Sequence, residues 1–89
     1  METYYLYILK SLRDNNLYVG CTSDLKKRLY RHKNGQIQST KAREPFVLVY
    51  VERMYSKSEA FQKERFLKSL YGYKLKRKLI KEFNREIIF

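Results

Sequence analysis

The sequence predicts a small α+β (or α/β) domain of order ββαβαα, with a three-stranded, mostly antiparallel sheet flanked by helices. Three observations predict it. Two short apolar runs, residues 4–9 and 17–20, stand either side of a polar turn. A third run, residues 46–51 (FVLVYV), is apolar on both faces. Segments of helical periodicity with start and stop signals fill the rest. A chain of 89 residues is expected to be a single domain with one core, since a chain this short buries only roughly 60–65% of its unfolded surface.

Residues 4–9 are six apolar or aromatic side chains in a row, too few for an ordinary helix, and read as a strand covered on both faces. Asp14, Asn15 and Asn16 supply turn chemistry, and residues 17–20 resume as a second strand, so an antiparallel hairpin is expected. Thr22, Ser23 and Asp24 are candidate N-caps for a helix running to about Asn34, with Leu25, Leu29 and His32 on one stripe and Gly35 as its stop. Residues 36–45 form a polar loop without periodicity. Pro45 ends it, and the strand at residues 46–51 is expected inside the sheet. Ser56 and Glu59 match a capping box that opens a second helix through about Tyr71, where Gly72 breaks it. A third helix over residues 73–83 is paced by Leu75, Leu79 and Phe83. The tail, Ile87, Ile88 and Phe89, is apolar and fits docking either on the core or on a partner.

Charge is the strongest compositional signal. The chain carries 20 Lys plus Arg against 9 Asp plus Glu, net +11, with a pI near 9.9. Residues 1–45 hold 9 bases and 4 acids and residues 46–89 hold 11 and 5, so the excess (+5 and +6) is not confined to a tail. A folded domain with a basic surface fits a polyanion, and so a nucleic-acid partner, better than a mere solubility charge, because self-repulsion on so small a chain costs stability. Cys21 is the sole cysteine, which excludes an intrachain disulfide and a CxxC metal or redox motif and fits a reducing compartment. The longest apolar run near the N-terminus is too short for a leader or a membrane span. A cytoplasmic protein with no membrane association is expected.

Several residues break the packing pattern. Arg28 and His32 lie four apart on the first helix and project together, beside the end of a tyrosine-bearing strand. On the second helix Ala60, Leu67 and Tyr71 form a stripe with Phe61, Phe66 and Leu70 nearby. At about 100° per residue, Glu64 and Lys63 fall about 60° from its centre, on the core side. Lysine can snorkel outward, whereas a carboxylate there must be paired, hydrogen-bonded or bound to a cation. Tyr7 and Tyr18 stand on the two paired strands. Taken singly, a tyrosine on a sheet face is ordinarily core, and a lone histidine is ordinarily structural. No Ser–His–Asp set, Gly-rich phosphate loop or His/Cys metal cluster occurs, so any chemistry rests on Tyr7, Tyr18, Arg28, His32 and Glu64.

That set, in that order, resembles the GIY-YIG nuclease superfamily. Tyr5-Leu6-Tyr7 is a degenerate first half of the motif and Tyr18-Val19-Gly20 a good second half. Arg28 falls where the family has its helix arginine, His32 matches the histidine or tyrosine one turn later, and residues 58–64 (SEAFQKE) look like the glutamate-bearing helix segment. The resemblance covers nearly the whole chain and is closest to small stand-alone, single-domain (YhbQ-like) members. Two positions depart from the family pattern. Cys21 stands where several family nucleases carry a lysine, and the region Tyr71-Gly72-Tyr73-Lys74 lacks the asparagine that many have beyond the glutamate helix.

The resemblance implies phosphodiester hydrolysis, on DNA rather than RNA, by a monomer with weak or structure-directed sequence preference. It implies one divalent ion, Mg²⁺ (or Mn²⁺), held by Glu64, and no small-molecule cofactor. Arg28 would stabilise the phosphoryl oxygens. Tyr7 or Tyr18 would position or deprotonate the water, and His32, closer in pKa to neutrality, could serve instead. Lys26, Lys27, Arg31 and Lys41, with the third helix, would hold the nucleic-acid backbone. The competing reading is a module of the same fold that grips nucleic acid without cutting it.

Overall fold

A computed structural model describes residues 3–89. Strands β1 (Tyr4–Ser11) and β2 (Leu17–Thr22) form the expected antiparallel hairpin, in register from Tyr5 opposite Thr22 to Lys10 opposite Leu17. Its turn is closed by side chains. Asp14 Oδ1 accepts from the Asn16 amide at 2.9 Å. Ser11 Oγ accepts from the Arg13 and Asp14 amides at 3.1 and 3.3 Å. Asn15 takes a left-handed φ of 62°, which a short polar side chain tolerates.

Helix α1 (Leu25–Lys33) is capped by Asp24, whose Oδ1 accepts from the Lys27 amide at 3.1 Å. Of the three candidate caps, Thr22 acts one step earlier, accepting from the Asp24 amide at 3.1 Å. Gly35 ends the helix with φ 68°, as its position predicts.

Strand β3 (Phe46–Met54) pairs antiparallel with the other edge of β1. It runs three residues beyond the expected Val51. Leu9 opposes Leu48 and Ile8 opposes Tyr50, so Val49 is the extra residue of a bulge. The bulge puts Val49 and Tyr50 on the same face and returns Val51 to the opposite one.

The tail adds a fourth strand to the three expected. In β4 (Ile87–Ile88), Ile87 opposes Leu48 and Ile88 opposes Val47 along the open edge of β3. Ile87 and Phe89 pack on the buried cluster of Tyr7, Leu9, Phe46 and Leu48, and Lys10 holds Glu86 at 2.8 Å. The sheet order is therefore β2-β1-β3-β4, all antiparallel, with β1 central and β2 a free edge.

Helix α2 (Lys57–Lys68) starts at Ser56, whose Oγ accepts from the Glu59 amide at 3.3 Å. It ends earlier than expected. The Ser69 backbone turns extended and its hydroxyl donates to the Phe66 carbonyl at 2.6 Å, closing the helix. A 3₁₀ turn over residues 70–72 follows, then α3 (Tyr73–Phe83). Only Ala60 and Leu67 of the predicted stripe are fully buried. Leu70 is 93% and Tyr71 88% exposed, because the chain leaves the helical path before their turn would reach the core.

The core has two halves. Leu6, Ile8, Val19, Cys21, Val47 and Val49 face α2 and α3 with Ala60 and Leu67. Tyr7, Leu9, Phe46 and Leu48 face α1 through Leu25 and Leu29. Among the described residues no helix is long and apolar enough to cross a membrane.

Substitution separates the true core residue from the displaced one. Leu67→Ala should cost about 3 kcal/mol in denaturant unfolding, whereas Tyr71→Ala should shift stability by less than about 0.5 kcal/mol. Comparable losses would mean that the turn packs differently.

Candidate nucleic-acid active site

The five residues singled out in the sequence line one cleft of about 300 Å³, together with all of residues 17–20 of β2. Consecutive strand residues can share a cleft with groups from both sheet faces only where the cleft lies across the strand's free edge. Tyr7, Tyr18, Arg28 and His32 enter from the α1 side, and Glu64, Lys68 and Lys76 from the α2–α3 side.

Tyr7 is 2% exposed on the central strand and opposite Gly20 in the ladder. Its ring crosses over that glycine so closely that a Cβ at position 20 would lie 2.5 Å from Oη and 2.6 Å from Cζ. Glycine is needed here for close approach. The Tyr7 hydroxyl meets His32 Nε2 at 2.9 Å, and His32 Nδ1 meets Thr40 Oγ1 at 2.7 Å. Thr40 Oγ1 also donates to the Ile37 carbonyl at 3.4 Å. With the Thr40 proton directed there, the tautomer is assigned with Nδ1–H donating to Thr40 Oγ1 and the Nε2 lone pair accepting from the Tyr7 hydroxyl.

The electrostatics agree with a neutral ring. Burial, helped by the Arg28 and Arg31 charges, lowers the His32 pKa to about 4, so the imidazole is neutral at neutral pH. Burial also raises the Tyr7 pKa, opposed by the neighbouring Arg28 guanidinium. Tyr18 stands edge-on to Phe46, with ring centroids 5.6 Å apart, and lines the same wall.

On the opposite wall Glu64 is half-buried and doubly held. Lys68, one turn along α2, donates to Oε2 at 2.7 Å, and the Cys21 thiol donates to Oε1 at 3.1 Å. Burial and the Glu64 carboxylate together raise the Cys21 pKa to about 12, so it stays a thiol donor and is no nucleophile. Lys63, the other charge expected on the core side, reaches out to Glu52 at 2.7 Å.

Among the described residues no group of three His, Cys, Asp or Glu could cage a metal ion. Glu64 nevertheless fits Mg²⁺ or Mn²⁺. It is a hard oxygen donor lining the cleft with lone pairs left over, and Mg²⁺ commonly takes one or two carboxylates and completes its shell with water and phosphate oxygens.

Lys26, Lys27, Arg31 and Lys41 are exposed and do not line the cleft. From there they can meet nucleic-acid backbone only beyond it. Thr40, Lys68 and Lys76 were not among the residues singled out. For Lys68 the i, i+4 spacing from Glu64 was a readable signal. Thr40 carries none in a loop without periodicity.

The profile of the GIY-YIG catalytic domain matches residues 3–79, and the chain belongs to this nuclease-type family. It is 43% identical over 83 residues to a UPF0213 protein of Staphylococcus saprophyticus, covering 92% of this chain and 99% of that one. It is also 43% identical over 89 residues to a UPF0213 protein of Bacillus licheniformis, covering 97% of this chain and 90% of the relative. The solution NMR structure of a UPF0213 protein from Bacillus halodurans superposes with a TM-score of 0.53 at 34% identity, over 84% of this chain and 80% of that one.

A buried neutral histidine has a stability signature. Its folded pKa, about 4, lies below the ordinary 6.5. Between these values the unfolded chain binds more protons, so stability is full above about pH 6.5 and falls as the pH drops. Unfolding free energy should decline between pH 6.5 and 5 with a slope approaching about 1.4 kcal/mol per pH unit, and His32→Gln should flatten it. An unchanged slope would contradict a neutral, buried His32.

Proposed function

We propose that the chain is a divalent-metal-dependent endonuclease for nucleic-acid phosphodiesters, DNA rather than RNA, with weak or structure-directed sequence preference. The observation that supports it most is the pairing of opposite chemistries across one cleft. A phenol hydrogen-bonded to a neutral imidazole and a guanidinium stand on one wall, and a lone carboxylate stands on the other. A site built only to grip phosphate gains nothing from a carboxylate in its groove. All five residues come from one chain, so a monomer suffices.

Arg28 receives the scissile phosphate and offsets the charge that grows on its non-bridging oxygens. The attacking water must lose one proton as it adds to phosphorus. Tyr7 Oη takes that proton while passing its own to His32 Nε2, so Tyr7 ends neutral and the charge rests on the imidazole. With a pKa of about 4, free His32 is a weak acceptor, but a bound phosphodiester brings a negative charge beside it and raises its proton affinity. Thr40, accepting from Nδ1–H, keeps the receptive nitrogen aimed at Tyr7. Tyr18 offers a second hydroxyl to orient the water. Glu64 would hold the divalent ion, which when bound supplies Lewis-acid stabilisation of the leaving oxygen. Cys21 and Lys68 fix the carboxylate from both sides.

One observation favours the binding-only reading: Glu64 already has a partner on each oxygen. The test is incubation of the full chain with supercoiled, branched and single-stranded DNA in Mg²⁺ or Mn²⁺. Wild type should cut, while Glu64→Ala and Arg28→Ala should lose at least about 100-fold in rate, with Glu64→Ala retaining DNA binding. If wild type cuts nothing that these variants leave uncut, the binding-only reading replaces the nuclease.

A further inference from the structure

The turn joining α2 to α3 displays apolar surface that the core does not use. Leu70 is 93% and Tyr71 88% exposed, and Tyr73, next but one, is 52% exposed. Two adjacent large apolar side chains held out in water forgo the burial that otherwise drives such groups into a core. They are not free to fold down. The Ser69 amide and hydroxyl both bond the Phe66 carbonyl, at 3.1 and 2.6 Å, and the Gly72 amide bonds the Ser69 carbonyl at 3.2 Å. Gly72 is itself buried, and a Cβ there would run into the Phe66 carbonyl oxygen. The turn is a fixed pedestal.

Its surroundings state what it faces. Residues 65–81 hold seven Lys and Arg and no Asp or Glu, so the turn sits in the most basic part of the chain. Two of those lysines, Lys68 and Lys76, line the cleft. Tyr71 follows Lys68 by three residues, at most about 11 Å along the chain, within reach of nucleotides flanking a phosphate held in the cleft. Arg77 lies over the Tyr73 ring at 5.7 Å and bonds its hydroxyl at 3.2 Å, holding a second ring in place.

We infer that Leu70 and Tyr71 form a base-stacking platform, and that the preferred substrate carries an unpaired segment beside the phosphate held in the cleft. This rests on the nuclease reading for the phosphate's position. In a duplex the base faces are covered by their neighbours and only edges and backbone are offered. A tyrosine ring and a leucine wedge find a free base face only on a single strand, a flap or a splayed junction. The lysines around the turn bind backbone whatever the strand, and the platform adds preference for unpaired nucleotides.

The test is equilibrium binding of the full chain in EDTA, where cutting is silenced. The probes are a fluorescein-labelled single strand, the same sequence as a blunt duplex, and a duplex with one unpaired arm. Wild type should bind the single strand and the armed duplex more tightly than the blunt duplex. Tyr71→Ala should weaken the first two roughly tenfold and leave the blunt duplex unchanged, and Tyr71→Phe should restore wild-type affinity. The inference is overturned if Tyr71→Ala changes none of the three, or weakens all three equally. A chain that shows this pattern but cuts nothing keeps the platform and loses the nuclease reading. A chain that cuts but binds indifferently to Tyr71 loses only the platform.

Discussion

The hydrogen bond from the Tyr7 hydroxyl to His32 Nε2, 2.9 Å long and buried, is the constraint around which this fold is arranged. It requires Tyr7 on the central strand to lie flat across β2, which only a glycine at position 20 permits. It requires α1 to dock with His32 inward, which Leu25 and Leu29 secure from the same stripe. And it requires a second partner for the imidazole, since an unsatisfied buried nitrogen costs about 1–3 kcal/mol. Thr40 supplies it. The loop that carries Thr40 is held by Gly35 in the left-handed region and by the Gln36 amide on the Arg31 carbonyl at 2.9 Å. Strand, helix and loop are thus tied together through one side-chain chain.

The opposite wall of the cleft obeys a different logic. Glu64 is bonded by a lysine and a thiol, and in the proposed reaction its charge is what makes the site more than a phosphate cradle. Where several family nucleases place a lysine after the glycine, this chain has Cys21, whose thiol donates to Glu64. The ammonium comes instead from Lys68, one turn along α2. A thiol and a lysine together satisfy both carboxylate oxygens without a second acid. The cleft keeps one negative group facing a basic surface, the arrangement that the proposed phosphate and cation site calls for.

Much of this was legible in the residues, for local reasons. The hairpin turn, the Asp24 and Ser56 caps, the Gly35 stop and the β3 run are each carried by side-chain chemistry within a few positions. The i, i+4 spacing of Arg28 and His32 placed both in the cleft, and Glu64 showed itself as a carboxylate on an apolar face. What was not legible depends on distant contacts. The two-residue strand β4 exists only because β3 leaves an edge open, and a two-residue run has no periodicity to read. The early end of α2 hangs on the Ser69 hydroxyl taking the Phe66 carbonyl, whereas the apolar spacing continues through Tyr71. The bulge at Val49 leaves no compositional mark. Thr40 looks like any polar loop residue until the fold brings His32 to it.

The site turns on a His32 that is held neutral, protonated on Nδ1 towards Thr40, with Nε2 receiving the Tyr7 hydroxyl. Long-range ¹H–¹⁵N correlation NMR of the imidazole at neutral pH reads this directly. A protonated Nδ1 and a bare, hydrogen-bond-accepting Nε2 are expected, with Tyr7→Phe shifting the Nε2 resonance and leaving Nδ1 protonated. A proton on Nε2, or an imidazolium at that pH, would contradict it.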